Sequence, residues 1–317
     1  MPANEHPISI LALNPSVDIS YEIDQLVSSK KIRSTHTQYY PGGNGINVAR
    51  ALNELKLPLS LYSIIGGESG NLLLRLLGDK LTDCHHYFSV EGETRLNAII
   101  QQSNPPGQYE VDSTGPDIPE ETVEQIIEAF LEVSHNNIAV LSGSIPPGVK
   151  ETVYRDLTAR LQQQGSKVIV DANGDELMNV MNASPYLLRL NRYVLESIVN
   201  RRLEQPEEVA EAAREIQKKG SNMVCVTLGQ QGALLVDQKN SYYCVAPKVR
   251  IKSTVGCGDA MISGMISAIS QGKSSAEILR FGVICGSTTA SHPGTELFEF
   301  SEVMKEYDEL EVISLNI

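Results

Sequence analysis

Short apolar runs alternate with amphipathic stretches through most of this chain. A strand that is apolar at consecutive positions buries both faces, so it needs helices above and below, and the alternation reads as a mostly parallel sheet covered on each side. Strands are expected over residues 8–13, 59–65, 138–141, 168–171, 187–190 and 223–227, with helices over 45–55, 69–77, 119–131, 151–163 and 207–219. After Thr227 the pattern changes to GALLVD, a polar QKN turn and SYYCVA, which predicts an antiparallel hairpin at a sheet edge. Helices over 259–269 and 275–287 close an α/β fold of three layers, α/β/α.

Two segments break the alternation. Residues 19–40 and 88–112 are polar, rich in Thr, Tyr, Val and Ile, and tend towards period two. They read as a small β-sheet lid inserted after the first and third core strands. Long surface loops are the alternative, although structureless loops of that length are uncommon outside lids and binding loops. The remainder is expected to form one unit over 1–317, because a chain with 41% hydrophobic residues can bury a large core and its 21% charged residues leave no solvated tail.

A formal net charge of -13 repels a phosphate backbone or an anionic membrane, so no nucleic-acid or membrane partner is expected. Cys84, Cys225, Cys244, Cys257 and Cys285 lie far apart with no C-x-x-C pair, which fits reduced thiols in a cytoplasmic protein. The first residues, MPANEHPISILAL, lack the basic start of a signal segment, and no apolar stretch reaches membrane-span length.

In an open α/β sheet, ligands bind beyond the carboxyl ends of the strands. The informative motifs fall there: Asn14-Pro15-Ser16-Val17-Asp18, Pro41-Gly42-Gly43-Asn44-Gly45-Ile46-Asn47, Ser142-Gly143-Ser144-Ile145-Pro146-Pro147-Gly148, and Ser253-Thr254-Val255-Gly256-Cys257-Gly258-Asp259. In the last, Gly256 and Gly258 allow successive N–H groups to point at one spot where a helix starts, a natural anion hole. Asp259 follows, placed either to take a proton from an attacking hydroxyl or merely to cap the helix. The glycines at 42, 43 and 45 lack a dinucleotide fingerprint's third glycine, since Val48 stands in its place, and no G-x-x-x-x-G-K-[ST] occurs. Arg95, Lys31 and Arg33 bring positive charge to the lid and, above an anion hole, suggest a phosphorylated substrate. His85 and His86 have no partner at ligand spacing and read as surface residues.

The ordered set LNPSVD, PGGNGINVARAL, TR at 94–95, SGSIPPGV, TLGQQGALLVD and STVGCGDAM resembles the ribokinase-like phosphofructokinase B family of sugar kinases over nearly the whole chain. Within it, GINVAR, SGSIPPGV, RLEQPEEV and ILRFGV are similar to the bacterial 6-phosphofructokinase branch. The resemblance implies ATP-dependent phosphoryl transfer to a phosphorylated ketohexose, with fructose 6-phosphate to fructose 1,6-bisphosphate as the expected reaction. Fructose 1-phosphate and tagatose 6-phosphate are the alternative acceptors, and a non-catalytic sugar-phosphate sensor is the alternative of another class. Asn44 stands where 1-phosphofructokinases and tagatose-6-phosphate kinases usually carry Lys.

The same resemblance implies residue roles. Asp259 would be the catalytic base, with Gly256, Cys257 and Gly258 supplying amides to the phosphoryl group. Asp18, Gly42, Gly43 and Asn47 would hold the sugar, Arg95 and Ser142 would take the sugar side with its phosphate, and Lys31 would reach in from the lid. Asn191, Thr227, Gly229, Gly232 and Ser253 would line ATP. Mg²⁺ would travel with the nucleotide, and K⁺ would sit on backbone carbonyls near Ser253, Val255 and Gly294. A homodimer through the lids is implied as well, with Ile19, Tyr21 and Ile23 and then Leu96, Ala98 and Ile100 forming its apolar face. The chain departs from the family where K-P-N-x-x-E is usual, reading Arg189-Leu190-Asn191-Arg192-Tyr193-Val194 without the carboxylate. Glu196, two residues on, would face about 200° away on a helix. His292 stands where Asn is common, and Cys257 replaces an Ala.

Overall fold

The computed structural model describes residues 8–171 and 174–316. In chain order the elements are β1 (Ile8–Ala12), β2 (Ser16–Ile23), β3 (His36–Gly42), α1 (Asn44–Glu54), β4 (Ser60–Gly66), α2 (Gly67–Leu77), β5 (His85–Val90), β6 (Arg95–Ser103), β7 (Pro106–Val111) and α3 (Glu120–Val133). Then follow β8 (Ile138–Ser142), α4 (Val153–Gln163), β9 (Lys167–Asp171), α5 (Gly174–Met181), β10 (Leu187–Asn191), α6 (Arg192–Val199), α7 (Pro206–Gln217) and β11 (Met223–Thr227). The chain closes with β12 (Ala233–Val236), β13 (Ser241–Cys244), α8 (Cys257–Ser270), α9 (Ser275–Ala290), α10 (Phe300–Glu306) and β14 (Val312–Leu315).

A ten-stranded sheet runs β14-β13-β12-β11-β10-β9-β8-β1-β4-β5. It is parallel from β11 to β5 and antiparallel from β11 to β14. Period-two alternation splits its side chains between two cores. Ile8, Ile10, Val140, Ile169 and Cys225 pack with α1, α2, α8, α9 and α10, whereas Leu11, Leu141, Val170, Leu190 and Val226 pack with α3 to α7. Each sheet face is thereby removed from water, as the consecutive apolar runs require.

The lid is a four-stranded sheet in the order β3-β2-β6-β7. Its outer pairs are antiparallel hairpins, and β2 and β6 join them in parallel register, with Asp18 opposite Asn97. The expected boundaries shift accordingly. Lid strands begin at Ser16 and continue to Gly42, and residues 88–90 belong to β5 at the edge of the large sheet. Phe88 and Val90 pack on the core that α3 covers, which binds this strand to the body. His85 corrects the surface reading: it is half-buried with Nε2 2.7 Å from Ser63 Oγ, and burial pushes its pKa down to about 4. His86 stacks on Tyr62. Among the described residues no helix is long and apolar enough to cross a membrane.

Candidate active site

Two helix starts meet at the carboxyl edge of the sheet. Gly256 precedes α8 at φ 78°, a left-handed conformation that turns the chain into the helix, and Gly43 precedes α1 at φ 89°. Asp259 in the first turn of α8 is 4% exposed. Its Oδ1 accepts from Asn44 Nδ2 at 2.9 Å and its Oδ2 from Asn47 Nδ2 at 2.8 Å, both donors in the first turn of α1. The carboxylate therefore does not cap its own helix, which has no side-chain cap, and the capping alternative falls. Burial and then the negative charge of Asp171 push the Asp259 pKa up to about 7, against the opposing pull of Asn47, Arg189 and Asn44. Such a group is a poised proton acceptor at neutral pH. Cys257 between the glycines is neutral, its thiol pushed up to about 12 by burial.

On the lid side, Asp18 is 3% exposed and accepts from Ser16 Oγ (2.7 Å), Asn97 Nδ2 (3.0 Å) and Thr295 Oγ1 (3.1 Å). Burial holds its pKa above the ordinary carboxylate value. Gly42 is obligatory against it, because a Cβ there would lie 2.2 Å from Asp18 Oδ2. Arg95, 8% exposed, donates through Nε to Asn14 O at 3.1 Å and through Nη1 to Ser113 O at 3.3 Å. Arg95, Asn14, Asn44, Asp112, Ser113 and Ser144 share one open cleft of about 660 Å³.

The structure revises three of the expected sugar-side residues. Ser142 is 1% exposed and ends β8 below the cleft, whereas Ser144, beyond the turn at Gly143, lines it and receives Asn14 Nδ2 at 3.1 Å. Asn47 donates through Nδ2 to Asp259 and accepts at Oδ1 from Arg50 Nη1 at 3.0 Å, so its side chain orients Asp259 and is not among those lining the cleft. Lys31 is exposed in the loop between β2 and β3, beyond the far end of β2. Lys31 is not among the residues that line the cleft.

On the other side of Asp259, Asn191 and Thr227 stand opposite each other at the ends of β10 and β11. Asn191 Oδ1 caps α6 through Val194 N at 2.9 Å. Gly229 and Gly232 form the tight turn into β12. Ser253 is buried beneath the loop before α8, its Oγ accepting from Val255 N at 3.2 Å. Gly294, in the loop that presents Thr295 to Asp18, packs against the Tyr40 ring. Lid strand β7 reaches across to this side: Gln108 donates to Thr254 Oγ1 at 2.9 Å and accepts from Thr254 N at 3.1 Å. His292, at the family's usual Asn, pairs its Nε2 with Glu302 Oε2 at 2.8 Å.

A model of the pfkB family of carbohydrate kinases matches residues 11–299. The chain belongs to this family. It is 36% identical over 304 residues to the ATP-dependent 6-phosphofructokinase isozyme 2 of Escherichia coli, covering 95% of this chain and 97% of that one. It is 29% identical to a 1-phosphofructokinase of Bacillus subtilis, covering 92% and 95%. The crystal structure of phosphofructokinase-2 from Escherichia coli with substrates and products superposes with a TM-score of 0.90 at 35% identity, covering 96% of this chain and 99% of that chain. The fold is ribokinase-like, and the protein is an ATP-dependent sugar kinase.

Several groups of this pfkB-family kinase are not legible as site residues in its sequence. Asn44 stands out there only for what it replaces, yet it both lines the cleft and donates to Asp259. Arg50 is half-buried behind Asn47 and donates to the carbonyls of Pro41 and Thr295. Asp171 and Arg189 form an ion pair of 2.8 Å beneath Asp259. One available signal is a carboxylate closing the apolar run KVIVD at a strand's carboxyl end.

The donor set fits a divalent cation that arrives on the nucleotide. Among the described residues no cluster of three or more His, Cys, Asp or Glu could hold a metal. Val194 is half-buried among apolar neighbours, and Glu196 is committed to Leu203 N at 2.9 Å, so neither places a carboxylate at the phosphates. Mg²⁺ commonly keeps most of its waters and binds through substrate phosphates with few protein carboxylates.

Proposed function

We propose that this kinase transfers the γ-phosphoryl group of ATP to a hydroxyl of fructose 6-phosphate. One observation carries the reading: Asn44 lines the cleft that holds Arg95 and donates to Asp259, so a buried cation and a poised base face one bound sugar. The guanidinium suits the substrate's own phosphate, and Asp18 suits its hydroxyls. The sugar oxygen attacks the γ-phosphorus, the bond to the ADP oxygen breaks, and the hydroxyl proton passes to Asp259. The amides of Gly256, Cys257 and Gly258 receive the charge on the phosphoryl oxygens. Thr227, Gly229, Gly232, Asn191 and Ser253 form the shelf for ATP. Mg²⁺ carried by the nucleotide would supply charge neutralisation for its phosphates, and Asn191 would lie near those phosphates. K⁺ on the carbonyls of Ser253, Val255 and Gly294 belongs to the same proposal.

Fructose 1-phosphate and tagatose 6-phosphate are the competing acceptors. Asn44, where 1-phosphofructokinases and tagatose-6-phosphate kinases usually carry Lys, leans the reading towards fructose 6-phosphate. ADP release measured with all three sugar phosphates is expected to be fastest with fructose 6-phosphate. A higher kcat/KM for either rival would overturn the assignment, and silence on all three would favour a sensor.

The lid's outward face supports a homodimer. Cross-strand register puts Ile19, Tyr21, Tyr39, Ala98, Ile100, Tyr109 and Val111 on one side, with Tyr39, Leu96, Tyr109 and Val111 exposed. An apolar sheet face with free edges is cheapest to cover with its own copy. Light scattering at micromolar concentration is expected to give twice the chain mass, and a monomer would refute the interface. All five cysteines are unpaired, which supports the cytoplasmic reading.

A further inference from the structure

Register places Ser142, Asp171, Arg189 and Cys225 side by side across β8, β9, β10 and β11. Residues in one row of a parallel sheet share a face, and Cys225 belongs to the core of α1, α8 and α9. The row therefore runs directly beneath the start of α8. Arg189 Nη1 meets Asp171 Oδ1 at 2.8 Å, with the two side chains 14% and 1% exposed. The other edge of the guanidinium lies against the anion hole: a Cβ on Gly258 would stand 2.1 Å from Arg189 Nη2. Among the described residues, Asp171 Oδ2, Arg189 Nε and Ser142 Oγ are buried without a hydrogen-bond partner. A buried ion pair with unsatisfied atoms adds little to stability, so its place invites another explanation.

We propose that the Asp171–Arg189 pair is a positioning device for the catalytic base, holding the first turn of α8 through Gly258 and setting the charge balance around Asp259. The inference rests on the reading of Asp259 as the base. The groups facing Asp259 are Asn44, Asn47 and Arg50 from α1, Asp171 from β9, Arg189 from β10 and Cys257 from its own turn. Asp171 raises the proton affinity of Asp259 and Arg189 lowers it. The pair thus acts on the base with opposed signs, and losing either member shifts the balance in a known direction.

The test is the acid limb of kcat against pH at saturating substrates. Asp171→Asn removes the repelling charge and keeps the shape, so the midpoint is expected to fall by about half a pH unit or more. One unit below the wild-type midpoint, that is about threefold more of the base in its active form. Arg189→Gln is expected to move the midpoint upward, and Arg189→Lys, which keeps the charge, to restore it. The two charge-removing variants challenge folding differently, one leaving a guanidinium beside an amide and the other a carboxyl able to take a proton, so a defect in one leaves the other to decide. A midpoint unmoved in the folded variants, or moved in the same direction by both, overturns the proposal. Failure of the base reading is distinguishable, because the wild-type enzyme would then show no acid limb near neutrality and Asp259→Asn would remain active.

Discussion

Asp259→Asn is expected to lower kcat by about a thousandfold while sugar affinity stays near that of the wild type, since general bases contribute about 10²–10⁴-fold. The amide keeps the size of the carboxylate and can still accept from one of Asn44 and Asn47, so the cleft retains its shape. Only the step that needs a proton acceptor is lost, and binding before that step is untouched. A rate within tenfold of the wild type, measured with both substrates saturating, would sink the assignment.

The pH dependence follows from the same environment. With the folded pKa raised from 3.8 to about 7, Asp259 is half protonated near neutrality, so the wild-type rate should fall towards tenfold per pH unit below that point. A carboxyl whose folded pKa lies above its unfolded one favours the fold most below pH 3.8. That contribution is lost as pH rises to about 7. The neutral amide introduced by Asp259→Asn carries no such cost, and melting of the variant at pH 8 is expected at or above the wild-type temperature. Loss of activity together with gross destabilisation would point to a structural role.

The periodicity of the chain is enough to place the core because both faces of the parallel strands are apolar, and the runs at 8–13, 168–171 and 223–227 coincide with β1, β9 and β11 within a residue or so. It misses α6, α10 and β14, which are short and amphipathic over too few residues for a period to show. It also misses the parallel pairing of β2 with β6, whose partners lie 79 residues apart at Asp18 and Asn97. Residue-to-residue spacing carries no trace of such a pairing until the topology is known.

The site divides in the same way. Asp259 and its glycines are legible because a helix start, an anion hole and a carboxylate are contiguous. Arg189 and Asp171 are not, being 18 residues apart and joined only by neighbouring strands. Ser142 and Ser144 differ by one turn of backbone at Gly143, where φ is 102°, and that turn decides which hydroxyl enters the cleft. The family resemblance supplies roles by position, whereas hydrogen bonding ties the Asn47 side chain to Asp259 and Arg50.

Arg95→Ala is expected to raise KM for the sugar phosphate about a hundredfold and KM for ATP by no more than about threefold. A charge-assisted hydrogen bond contributes about 1.5–3 kcal/mol, and a hundredfold corresponds to about 2.8 kcal/mol. Little water screens the guanidinium, which is 8% exposed; burial lowers its proton affinity, and Asp112 and Asp18 oppose that pull. Its Nε and Nη1 are committed to the carbonyls of Asn14 and Ser113, so a fixed Nη2 edge is what it offers to a ligand. Truncation also frees those two carbonyls, and that loss must be separated from the loss of the phosphate partner. Arg95→Lys restores the charge without the planar fork, so it should recover part of the affinity if phosphate is the partner. It should recover none if the residue only braces residues 14 and 113. An equal rise in both KM values, with no recovery by Lys, would place Arg95 in the scaffold and leave the phosphate end of the cleft without its cation.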